Sequence, residues 1–137
     1  MAEQVTLSQQ SAYLREQFNR FDTTLMNMFE SLDSALAELE HPERYSHAQM
    51  FDIVIGAEYL IVRVRAKILS ELAKIQCALS ASTTTTGVEK LFKDRYNNII
   101  AMCQRVNELR EDFAVVQRSM WARNPVSYTH LTLPTKA

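Results

Sequence analysis

Apolar side chains in the first stretch of the chain fall at Leu7, Leu14, Phe18, Phe21, Leu25, Met28, Leu32, Ala35 and Leu39, with Ser11 filling one place in the row. The steps alternate between three and four, which is a heptad seam and predicts a long amphipathic helix. Phe29 and Leu36 widen the stripe in its second half, so the helix is expected to meet two neighbours there. His41-Pro42 closes it, because the residue before a proline is driven out of the helical region.

The second segment is denser. Taken as one seam it runs Phe51, Val54, Glu58, Ile61, Arg65, Ile68, Leu72, Ile75 and Leu79. Met50, Ile53, Ala57, Leu60 and Val64 form a parallel stripe, and Ile55, Val62 and Leu69 make a further line beyond Glu58 and Arg65. That leaves only Asp52, Gly56, Tyr59 and Arg63 to face water between residues 50 and 64. A helix in a monomeric three-helix bundle carries a broader polar face. The excess predicts a covered surface, and self-association is the expected cover.

A Ser/Thr-rich turn, residues 80–87, separates this from a third stripe: Phe92, Tyr96, Ile99, Cys103, Val106, Leu109, Phe113, Val116 and Met120. Three capping-box patterns open the three segments at even intervals: Thr6 with Gln9, Ser46 with Gln49, and Thr86 with Glu89. In each, a hydroxyl would accept from an orphan backbone N–H while the residue three on reaches back. The segments share no side-chain pattern when overlaid, so the spacing reflects matched lengths and not a repeat. Helices over about 7–40, 47–80 and 87–123 follow, each roughly 50 Å long at 1.5 Å per residue. Short connections make sequential neighbours antiparallel. The expected fold is all-α: an elongated, coiled-coil-like antiparallel three-helix bundle over residues 1–125, completed by dimerisation.

Two glycines and three prolines among 137 residues leave no glycine-rich phosphate cradle, and no G-x-x-x-x-G-K or G-x-G-x-x-G occurs. The net charge of −1 conceals an uneven distribution. Residues 1–41 hold Glu3, Glu16, Asp22, Glu30, Asp33, Glu38 and Glu40 against Arg15 and Arg20, whereas the two later segments are mildly basic. This favours packing of the first helix against the other two and is too small a basic excess for a nucleic-acid footprint. No apolar run approaches a membrane span and the start has no secretory pattern, so a cytoplasmic protein is expected. Cys77 and Cys103 would lie roughly 20 Å apart in the folded-back arrangement, beyond disulfide reach, and are expected as buried free thiols. Residues 126–135, Val-Ser-Tyr-Thr-His-Leu-Thr-Leu-Pro-Thr, resemble the translation of a short-read sequencing adapter. The resemblance implies a microbial or phage gene at a contig end, and a tail outside the fold.

Candidate chemistry is sparse. Glu38-x-x-His41 has the spacing of di-iron bundles, but such a site needs a second copy and further glutamates, and the third helix has no histidine. Arg44 and His47 are too close for the Arg-x-x-x-x-His arrangement of helical ribonucleases, and no Ser/His/Asp or Cys/His set can be assembled. No catalytic residue, metal or cofactor is expected. His41, Tyr45, His47 and Trp121 should cluster at one bundle end, either as a plug or as a binding patch. Level matching predicts the cross-helix pairs Glu58–Arg110 and Arg65–Asp22.

The reading is a non-enzymatic protein-protein interaction module (an adaptor, chaperone, assembly subunit or inhibitor) that binds through an apolar helical face. The interface residues are Ile55, Glu58, Val62, Arg65 and Leu69, and the partner is another protein, with a homodimer expected and no membrane contact. The alternative is a small helical subunit of a nucleoprotein complex, touching RNA or DNA backbone through Lys67, Lys74, Lys90, Lys93 and Arg95.

Overall fold

The computed structural model describes residues 2–81 and 86–123. Three helices account for nearly all of them: α1 (Ala2–Leu39), α2 (His47–Ser80) and α3 (Thr86–Arg123), with a single 3-10 turn (Pro42–Arg44) between the first two. The fold is a three-helix bundle.

The helix ends show which sequence signals act. At Ser46 the capping box is complete: its Oγ accepts from the Gln49 backbone N–H at 3.1 Å, and its own N–H donates to the Gln49 side chain at 2.8 Å. Thr6 behaves differently. α1 begins at Ala2, so Thr6 lies inside the helix and is not its cap. A cap residue must leave the helical region, and Ala2, Glu3 and Gln4 are all good helix formers that let the helix run on. At the third site, α3 does open at Thr86. The side-chain cap there, the turn at 82–85 and the adapter-like tail lie outside the described residues.

The ion pairs fix the relative directions. Asp22 pairs with Arg95 and Asp33 with Arg105, each at 2.7 Å, so α1 and α3 advance together. Phe51 and His47 meet Trp121 at the opposite sequence end of α3, so α2 runs antiparallel to it.

The core lies along one line of each helix. On α1 it holds Leu25, Met28, Phe29, Leu32 and Leu39, which includes the predicted widening at Phe29. Before Leu25 the row is only half-buried at Leu14, Phe18 and Phe21. On α2 the buried line is Met50, Val54, Ala57, Ile61, Val64, Ile68 and Ile75. This corrects the expected seam: Glu58 and Arg65 stand outside it and are exposed. The observed line keeps the same four-three spacing without burying a charge, an act that costs several kcal/mol per ion before any pairing. On α3, Val88, Ile99, Val106, Leu109, Phe113 and Met120 are buried, and Arg95 takes a place in the row.

Candidate interaction surface

With Met50, Val54, Ala57 and Ile61 committed to the core, the geometry of a 100° step per residue turns Ile55, Tyr59, Val62 and Leu69 outward. They are 47%, 67%, 64% and 54% exposed. Three of the four are the far apolar line of the sequence, Ile55, Val62 and Leu69, spaced seven residues apart. Ala66 continues the strip between Val62 and Leu69. The strip that faces water is therefore broader than Asp52, Gly56, Tyr59 and Arg63, and much of the added width is apolar.

Glu58 and Arg65 border this line on the side toward α3. Glu58 accepts a hydrogen bond from the Gln117 side-chain amide. Arg65 is in no salt bridge among the described residues. Between them the α2/α3 furrow is floored by Ile61 and Phe113 and rimmed by Val62 and Arg110. Neither expected pair forms: Asp22 is taken by Arg95 from α3, and Glu58 by Gln117. On the other flank, the Arg63 guanidinium lies over the Tyr59 ring at 5.9 Å.

The residues considered for nucleic-acid contact do not share one surface. Lys67 and Lys74 line an open groove of about 580 Å³ between α1 and α2, with Phe18, Phe21 and Phe92 among its apolar walls. Lys90 is exposed on α3, and Lys93 pairs with Glu89 of its own helix at 3.1 Å. Arg95 is the clear departure. It is 2% exposed, and stacks under Phe18 and Phe21 at 4.6 and 5.3 Å to the ring centroids. A guanidinium held this way cannot reach a phosphate backbone. The spacing Val88, Phe92, Arg95, Ile99 carried that signal, since it continues the seam through an arginine.

The end cluster forms in part. His47 meets Trp121 edge-on at 6.1 Å and Phe51 meets it at the same distance, while His41 turns to Glu43 at 3.4 Å. Half-buried rings across the open end of the bundle close it against water. Among the described residues no group of three or more His, Cys, Asp or Glu could hold a metal ion. No helix of the described residues is long and apolar enough to cross a membrane. Cys77 is exposed rather than buried, and Cys103 is half-buried. Cys77 follows Ile75 by two residues, a step that turns it away from the core face.

No family model matches this chain, and no curated protein or solved structure matches it either.

Proposed function

We propose that this protein is a protein-protein interaction module that acts through the outer face of α2. The observation that supports the reading is the row Ile55, Tyr59, Val62 and Leu69, about four turns of helix with large apolar side chains held in water. None of the four fills the core, so the core gives no reason for their being apolar. Each costs free energy while exposed and contributes when covered, at about 25 cal/mol per Å² of apolar surface removed from water. A row of this kind, bordered by Glu58 and Arg65, matches the helix-in-groove mode of recognition, in which apolar anchors recur every three, four and seven residues. An adaptor, chaperone, assembly subunit or inhibitor would all use such a face.

The rival reading, a helical subunit seated on RNA or DNA backbone, has less to rest on. Arg95 is internal and Lys93 is engaged with Glu89, which leaves Lys67, Lys74 and Lys90.

The test compares the wild-type chain with an Ile55→Ser/Val62→Ser/Leu69→Ser variant. Partners captured by the wild type are reconstituted from purified components. The expected result is a stoichiometric protein complex that the variant fails to form while keeping the wild-type monomer's stability at low protein concentration. Equal binding by both chains, or binding only to a salt-sensitive oligonucleotide, would overturn the proposal.

A further inference from the structure

Resting on that reading of the α2 face, we infer that its occupant is a second copy of this chain, paired antiparallel along α2 about a two-fold axis beside Val62. The row is self-complementary. Ile55 and Leu69 lie seven residues either side of Val62, so an antiparallel copy sets Ile55 level with the partner's Leu69 and Val62 against the partner's Val62.

The charges select the direction. In an antiparallel pair related by a two-fold, the same flank of each helix meets its copy. The flank toward α3 carries Glu58 and Arg65, of opposite sign, also seven residues apart. Glu58 then comes within one residue, ~1.5 Å of rise, of level with the partner's Arg65. The symmetry makes this contact twice. Arg65, in no salt bridge within the chain among the described residues, gains its opposite charge there. A parallel pair would bring opposite flanks together and set Arg65 beside Arg63 and Ser70, where it finds no acid. Glu and Arg at such flanking positions fix partner and orientation in helix pairs. The small side chain of Ala66, between Val62 and Leu69 on the strip, lets two backbones approach.

Sedimentation equilibrium of the full chain, with directed cross-linking, tests this. The wild type is expected to be dimeric. Glu58→Arg and Arg65→Glu should each weaken dimerisation roughly tenfold or more, because each opposes like charges at two places. The double variant should restore it. In a Cys77→Ser/Cys103→Ser background, Val62→Cys should oxidise to a disulfide-linked dimer, while Ile55→Cys and Leu69→Cys should cross-link only when mixed. Self-cross-linking at 55 and 69 as efficient as at 62 means a parallel pair and overturns the inference. A monomer whose apolar-dye binding is lost in the triple serine variant overturns self-pairing while sparing the face for another protein. A monomer that binds no dye overturns both.

Discussion

Arg95 of α3 donates to Asp22 of α1 at 2.7 Å from a position that is itself inside the bundle. The two ends of the pair are unequal: the guanidinium is 2% exposed and the carboxylate 37%. Phe18 and Phe21 hold the arginine on its apolar faces, and its Nε and second Nη have no hydrogen-bond partner in the described residues. Stability at this layer therefore depends on Asp22 more than on the arginine's charge. Asp22→Ala should leave a buried, uncompensated cation and destabilise by about 2–4 kcal/mol. Arg95→Met keeps the packing, removes the charge and should cost less. Urea unfolding with an unchanged slope measures both. The Arg105–Asp33 pair, half exposed at both ends, provides the contrast, with at most about 1 kcal/mol lost on Asp33→Ala.

Core and outer face should separate as cleanly in energy as in position. Leu32 is fully enclosed, and Leu32→Ala should lose about 3–4 kcal/mol from transfer and the cavity left behind. Leu69→Ala, on the outer row, should change monomer stability by no more than about 0.5 kcal/mol. Denaturation at low protein concentration reads the monomer term. A large loss at Leu69 would mean that the outer row belongs to the core.

The difference between those two leucines was only partly legible in the sequence. The α1 seam could be read directly, because polar residues flank it and one phase alone fits. The Ser46 box and the end of α1 before His41-Pro42 were also plain, since a paired hydroxyl and amide and a proline act locally, whereas the start of α1 was not, the helix running back past Thr6 to Ala2. α2 was harder. It offers three apolar lines at helical spacing, and periodicity gives the spacing of a seam without choosing which line faces inward. The absence of charge along Met50, Val54, Ala57, Ile61, Val64 and Ile68 was the deciding cue, against a rival line interrupted by Glu58 and Arg65. The Asp22 partner was hidden for a different reason. Level matching ranks neighbours by height along the axis, and Arg65 and Arg95 are both within reach of Asp22 by that measure. The rotation of α3 decides between them, and the seam through Val88, Phe92 and Ile99 carries it by turning Arg95 inward. The candidate row Ile55, Val62 and Leu69 was visible from the start as an excess of apolar surface, and its exposure follows once the core line is fixed.

Among the described residues the Ser46 box should be the most valuable single cap. Ser46→Ala removes the acceptor for the Gln49 N–H and should cost about 1 kcal/mol, whereas Gln49→Ala, which frees one exposed donor to water, should cost less. Thr6→Ala lies inside α1 and should be neutral or slightly stabilising, because alanine is the better helix former. Thermal midpoints of the three variants check the order. A loss at Thr6 equal to that at Ser46 would restore Thr6 as the true start of α1.

The two thiols should differ in reactivity in a way that reports on Arg65. Burial pushes the Cys103 thiol above its ordinary value of 9.0, and the positive charge of Arg65 pulls it part of the way back. Thiolate is the reacting form. At pH 8 exposed Cys77 should therefore be alkylated well before Cys103. Arg65→Ala removes the opposing pull and should slow Cys103 further while leaving Cys77 unchanged. The sign for stability follows from the same shift. The folded state holds the Cys103 proton more tightly than the unfolded chain, so this contribution is whole below 9.0 and is lost as the pH rises through the raised value. Cys103→Ser should remove that alkaline loss. Mass spectrometry after timed alkylation, with unfolding followed across the alkaline range, measures both arms. Faster labelling of Cys103 than of Cys77 would show that α2 and α3 part at this level.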